Sequence, residues 1–140
     1  MPTPGSAPFW TEDVLRFGDT DANGHVNNTV FSVLCEGGRV GLFAAHLTPL
    51  LDAGAFFVIA RLAVDFRAEL HYPGTVRTAT WIEAVGRSSI RFGQEIHDGG
   101  TVAARAESTC VLMDRATRRS TPLPDPVRAA VEALLRPAGR

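Results

Sequence analysis

From Asn28 to His46 the chain reads NTVFSVLCEGGRVGLFAAH, with no proline, an asparagine at its start and apolar side chains on nearly every side. That is the pattern of a buried helix. Gly37, Gly38 and Gly41 each weaken such a helix by roughly 1 kcal/mol relative to alanine, so a close approach by a sheet is needed to account for them. Downstream the hydrophobic period drops to two. Phe56 to Phe66, Thr75 to Val85, Ser88 to His97 and Thr101 to Met113 are rich in Val, Ile, Thr, Phe or Trp and predict four strands. Tyr72-Pro73-Gly74, Gly86-Arg87 and Asp98-Gly99-Gly100 separate them with hairpin-like turn chemistry, which predicts an antiparallel meander. A shorter strand, Phe9 to Arg16, precedes the helix. Ten-residue strands span about 33 Å and the helix about 28 Å, so the sheet is long enough to curve around it. The expected fold class is α+β, with a long curved antiparallel five-stranded sheet wrapped around one central helix. The closing run TPLPDPVRAAVEALL predicts a short C-terminal helix with Asp125 as its cap and Pro126 in its first turn.

Length and composition narrow the class. A chain of 140 residues fits one domain, read here as 9–140 behind a loose Pro, Gly and Ser-rich tail over 1–8. The 45% apolar and 21% charged shares are those of a folded globular protein. With a net charge of −1, no global field recruits nucleic acid or an anionic membrane, so an anionic ligand has to be held by a local arginine cluster. Lysine is absent and every basic side chain other than histidine is arginine. Cys35 and Cys110 have neither CxxC nor zinc-ligand spacing, and a disulfide between them is only weakly supported. The N-terminus lacks the pattern of a signal peptide and no run of about 18 apolar residues predicts a spanning helix, so the expected location is cytoplasmic, without a membrane partner.

The candidate chemistry lies between the first strand and the helix, in GDTDANGHVNN. Its two Asp, two Gly, one His and three Asn suit a tight polar turn, and Asn27 or Asn28 suits a helix cap. The same residues also suit catalysis. A carboxylate just ahead of a helix N-terminus stands beside unpaired backbone N–H groups, which can polarise a carbonyl while Asp21 attacks it or activates water. Asp19 is read as a brace for the loop.

The run RFGDTDANGHVNNTVF resembles the signature of the 4-hydroxybenzoyl-CoA thioesterase-like branch of the hotdog-fold superfamily. VDFRAELHYPGTV, EAVGRSSIRFGQEI and VLMDRATRRSTPLPD resemble that family's second long strand, central hairpin and last strand, so the likeness runs from about Asp13 to Asp125. The resemblance implies a hotdog acyl-CoA thioesterase, with Asp21 as nucleophile or general base and the Asn28 amide as oxyanion donor. His25 falls where members of that family vary and is assigned only a positioning or polar-wall role. Glu36, the helix's single carboxylate, becomes the rival to Asp21, because other hotdog branches carry their acid there; otherwise Glu36 is read as a buried, hydrogen-bonded or paired acid. Arg87, Ser88, Ser89 and Arg91, around one hairpin, become the landing site for the phosphates of coenzyme A, ahead of Arg61 and Arg67. Val30, Phe31, Leu34, Phe56, Phe57 and Ile59 are candidates for an acyl pocket or simply for core. No metal or other cofactor is implied, coenzyme A being part of the substrate. A homodimer or homotetramer is implied, and a long edge strand is a surface a partner would cover. The alternatives on the same fold are a non-catalytic acyl-CoA binding module and an enoyl-CoA hydratase.

Overall fold

The structure, a computed structural model, describes residues 7–136. Most of the expected tail, 1–8, therefore lies outside the described residues. The expected elements form in order: strand β1 (Phe9–Leu15), helix α1 (Asn28–Leu42), strands β2 (Ala55–Phe66), β3 (Gly74–Val85), β4 (Ser89–Asp98) and β5 (Thr101–Asp114), and helix α2 (Asp125–Ala133). They make one antiparallel five-stranded sheet packed on α1, the expected hotdog arrangement.

The strand order is β1-β3-β4-β5-β2, which corrects the meander in one respect. β3, β4 and β5 are consecutive hairpins, the last closed by Gly99 and Gly100 between the paired Asp98 and Thr101. β2, however, pairs with β5, and β1 takes the place beside β3. Tyr72-Pro73-Gly74 is thus the entry to β3 and not a hairpin turn. The connection from β2 is held across the strand ends by bonds from the Arg67 and Ala68 amides to the Ala103 carbonyl and from the Val26 amide to the Leu70 carbonyl, with Leu70 fully buried.

Asn27 caps α1, its side-chain oxygen accepting from the Thr29 amide at 3.0 Å. The α-helix ends at Leu42, and the remainder of the expected helix widens into a π turn over Phe43–Leu47, where the Phe43 ring stacks on Phe57 at 4.8 Å. The glycine expectation holds at two positions. A Cβ on Gly38 would stand 2.5 Å from Thr80 Oγ1 and 2.7 Å from Gln94 Nε2, and one on Gly41 would stand 3.0 Å from both Phe9 and Thr11. Gly37 meets nothing nearer than 4.0 Å. The helical run Asn28–Leu50 is long and apolar enough to cross a membrane by length and composition, a property that the core helix of a folded protein shares. Here Phe31, Leu34, Cys35, Gly38, Arg39 and Leu42 are buried. α2 begins at Asp125 behind Pro124, whose carbonyl accepts from the Arg128 amide. Asp125 is therefore the first helical residue and not the cap, placed where the helix dipole favours an acid. Cys35 and Cys110 are both free and buried, so the disulfide does not form.

The core has two centres. One lies around Phe31, Leu34, Val76 and Ile96, the other around Leu42, Ile82, Phe92 and Leu112. Polar residues occupy the inner face of the sheet between them: Gln94 donates to the Cys35 carbonyl at 2.8 Å and to Thr80 at 2.9 Å, and accepts from Arg39 at 3.2 Å.

Candidate functional site

The polar loop folds on its own hydrogen bonds. Asp19 accepts from the Arg16 amide at 2.8 Å and from the Arg16 guanidinium at 3.1 Å, the bracing role expected of it. These bonds hold its carboxyl below the ordinary range, the backbone bond first, against the opposing effect of burial. The Asp19 carbonyl then accepts from Asn27 and fixes the start of α1. Asp21 closes a tighter turn: its backbone pairs with His25 and Gly24, and its Oδ1 accepts from the Asn23 amide at 2.9 Å. Gly24 sits at φ +84°, a conformation glycine adopts without strain.

At the helix start lies a mostly apolar pocket of about 290 Å³, lined by His25, Val26, Asn28, Phe31, Phe66, Arg67, Ala68 and Glu69. Phe31 and Phe66 meet edge to face at 5.1 Å on its wall. Asn28 is the first residue of α1, so its amide has no carbonyl to reach within the helix, and among the described residues it makes no other hydrogen bond. His25 stands between two carboxylates: Nδ1 is 3.9 Å from Asp21 Oδ1, and Nε2 is 3.9 Å from Glu69 Oε1. Nδ1 is also 3.1 Å from the Val26 carbonyl. Glu69 pairs in turn with His71 at 3.2 Å. Asp21 contacts His25 but stands outside the pocket lining.

The structure therefore gathers Asp21, His25 and Asn28 at one end of α1 and leaves the other predicted residues elsewhere. Glu36 is exposed, which corrects its reading as a buried acid: at that turn the helix presents it to the open groove beside β2. It lines a smaller pocket of about 110 Å³ with Arg39, Val40, Phe43, Phe57, Val58, Ile59 and Cys110. The hairpin of Arg87, Ser88 and Ser89 is anchored on α2, whose Arg128 donates to the Gly86 and Arg87 carbonyls at 2.9 and 3.1 Å. Arg91 faces Glu83 at 3.6 Å. The pocket end of β4, marked by Ile96, and Ser89 at the hairpin end are separated by seven residues of extended chain, about 23 Å. Of the acyl-pocket candidates, Phe31 lines the first pocket, Phe57 and Ile59 line the second, and Phe56 lies under Arg115 with 4.6 Å between guanidinium and ring.

Glu69, with Arg67 promoted to the pocket wall, is what the sequence reading missed. The strand alternation stops at Phe66, and the charged run Arg67, Glu69, His71 that follows has no place in a tight hairpin; that was the available signal. Among the described residues no group of three or more His, Cys, Asp or Glu is arranged to hold a metal ion.

A helix end with a free amide, carboxylates and a histidine beside an apolar pocket, on one sheet wrapped around one helix, agrees with the comparison to known families. The Thioesterase-like superfamily matches residues 15–131, and the chain belongs to it. The structure of a predicted thioesterase from Bacillus stearothermophilus is 33% identical, with TM-score 0.87 over 95% of this chain and 100% of that one. A thioesterase of Thermus thermophilus, solved with coenzyme A and zinc, is 31% identical, with TM-score 0.81 over 92% and 95%. A chloroplastic palmitoyl-acyl carrier protein thioesterase of Cuphea hookeriana is 32% identical over 78 residues, 54% of this chain; the chain spans about a fifth of that protein's length, 19%.

Proposed function

We propose that this chain hydrolyses an acyl-CoA thioester to the free acid and coenzyme A at the N-terminus of α1. The observation that carries the reading is the unpaired Asn28 amide on the wall of an apolar pocket, with Asp21 and His25 beside it. The acyl group enters the pocket against Phe31 and Phe66, and the thioester carbonyl points at the Asn28 amide, which holds the developing oxyanion. Asp21 Oδ1 is occupied by the Asn23 amide, leaving Oδ2 to attack the carbonyl or take a proton from water. In the first route the acyl–sulfur bond breaks as an acyl-aspartyl anhydride forms, and water then opens that anhydride to the free acid. In the second the water oxygen bonds to the acyl carbon as the acyl–sulfur bond breaks. In both the thiolate of coenzyme A leaves and takes up a proton. No cofactor takes part in this reading.

One observation favours a second assignment of the base. His25 lines the pocket and Asp21 does not, so His25 is placed to activate the water while Asp21 and Glu69 orient its ring. For the phosphates of coenzyme A the proposed partners remain Arg87, Ser88, Ser89 and Arg91. The pantetheine arm has to span the 23 Å or so to them, or the hairpin of a second copy has to supply them. A homodimer fits the open edge of β2, which pairs on one side with β5 and leaves Ile59 and Phe66 about half exposed.

The deciding experiment is free-thiol release from a panel of aliphatic and aromatic acyl-CoAs. The protein's own thiols stay silent in it, since burial pushes Cys35 up to about 11 and raises Cys110 as well. Asp21→Asn is expected to lower kcat at least a hundredfold with the fold intact by circular dichroism. Near-normal turnover in Asp21→Asn, with collapse in His25→Ala, would move the chemistry to the histidine. Tight binding with no thiol released by the wild type would overturn hydrolysis and leave the binding module or the enoyl-CoA hydratase, which hydration of crotonyl-CoA tells apart.

A further inference from the structure

Arg39 is 5% exposed, yet no acidic residue among the described residues lies within salt-bridge distance of it. Its guanidinium donates to Gln94 Oε1 at 3.2 Å and stands beside the Cys110 thiol, which burial keeps protonated, so both neighbours are neutral. A guanidinium carries its N–H donors in a fixed fork, and one kept from water without a counter-charge is costly. This one is also held in place. Gln94 uses its own donors on the Cys35 carbonyl at 2.8 Å and on Thr80 at 2.9 Å, which turns Oε1 toward Arg39. Arg39 lines the pocket of about 110 Å³ between α1 and β2, with Phe43, Phe57 and Ile59 around it and the exposed Glu36 one turn earlier on the helix. A fixed cation in an apolar pocket, with donors that no charged group of the chain takes up, is prepared for an acceptor that arrives from outside.

The pocket at Asn28 opens on the same flank of α1. Val33 on the helix is 61% exposed, and Phe66 and Ile59 on β2 are 53% and 47% exposed, so apolar side chains border the groove from one pocket to the other. Arg39 follows Asn28 by eleven positions of helix. That rise is about 16 Å, the reach of an extended chain of about a dozen carbons. We propose that the acyl group runs from the Asn28 pocket along this groove and ends at Arg39, which selects chains of about that length carrying an oxygen function, a hydroxyl or a carboxylate, at the far end. The inference rests on the thioesterase reading and names the acyl class for it. A plain alkyl end would press a methyl group against the guanidinium and strip water from its donors, whereas a terminal oxygen accepts from them. Glu36 separates the two oxygen functions: a hydroxyl can donate to it while accepting from Arg39, and a carboxylate is repelled.

The test is thiol release from three saturated thioesters of one length: dodecanoyl-CoA, ω-hydroxydodecanoyl-CoA and the mono-CoA thioester of dodecanedioic acid. The wild type is expected to favour at least one oxygenated chain over dodecanoyl-CoA by about tenfold or more in kcat/KM, and the one that leads identifies the oxygen function. In Arg39→Met, which keeps an apolar stem and is checked for folding by circular dichroism, that preference is expected to fall to near parity. A purely structural role for Arg39 would slow all three substrates alike and keep the ratio, as would recognition of the coenzyme A half; a kept ratio overturns the inference. So does a wild type that hydrolyses dodecanoyl-CoA as well as both oxygenated chains, or that turns over only shorter acyl-CoAs. Should Arg39→Met fail to fold, Arg39→Gln reads the same ratio, and if neither folds the wild-type panel decides by itself. Release of thiol from no acyl-CoA at all sinks the thioesterase reading and the inference together, whereas release without the preference sinks the inference alone.

Discussion

The two flanks of α1 are built to opposite ends. On the flank facing β1, Gly41 brings the helix so near that a Cβ there would stand 3.0 Å from Phe9 and from Thr11, and the sheet closes against it. On the flank facing β2, Val33, Glu36 and Val40 remain exposed, and the pockets at Asn28 and at Arg39 both open there. The contrast teaches how to read such a helix. Small residues mark where the chain seals on itself, and large apolar residues left in the open mark where something else is to arrive.

The sealed interface is where a substitution should do most damage to stability. Gly38→Val is expected to destabilise the fold by about 1–3 kcal/mol, seen as a lower Tm, because its side chain drives into Thr80 and Gln94 and breaks the bonds Gln94 makes to Cys35 and Arg39. Gly37, one residue away with no neighbour closer than 4.0 Å, should respond with the opposite sign: Gly37→Ala is expected to raise stability by up to about 1 kcal/mol through helix propensity. Two changes of the same sign would mean that close approach is not what separates these glycines.

The next effect is on binding and tests whether the far hairpin takes part at all. Arg87→Ala combined with Arg91→Ala is expected to raise KM for acyl-CoA about tenfold with kcat little changed, since lost phosphate contacts weaken ground state and transition state alike. An unchanged KM, with a raised one in Arg67→Ala, would transfer phosphate recognition to the arginine that lines the pocket itself.

How much of this was legible follows the same division. Elements defined by local periodicity came through: the helix start at Asn28, the strand limits within a residue or so, and the hairpins at Gly86 and Gly99. The place of β2 did not. Its pairing with β5 is a contact between distant segments, and turn chemistry at Tyr72-Pro73-Gly74 reads the same whether the chain reverses beside its last strand or crosses to another. That misreading also hid Glu69, because the stretch between the strand end at Phe66 and a presumed hairpin turn at Tyr72-Pro73-Gly74 is not where a pocket residue is looked for. Asp21, His25 and Asn28 were legible together because a single loop carries them. The buried Arg39 was not, since no sequence pattern tells an arginine that turns inward from one that stays in water.

The smallest expected effect concerns the loop that presents Asp21, and it is the sharpest test of whether that loop is held or merely adjacent. The Asp19 carboxyl is held below its ordinary value of 3.8, chiefly by the Arg16 amide and then by the Arg16 guanidinium. A carboxyl whose folded value is depressed stabilises the fold at every pH above its unfolded value and loses that contribution as pH falls through the folded one. The wild type should therefore lose stability as pH drops below about 4, on top of any general acid effect. Asp19→Asn keeps a hydrogen-bond acceptor but no charge, so it should cost roughly 1 kcal/mol or less at neutral pH and flatten that acid limb in Tm against pH. A variant whose acid limb overlays the wild type's would show that another carboxyl carries it. A flattened limb with thiol release unchanged at neutral pH would show that the brace serves the loop's stability alone.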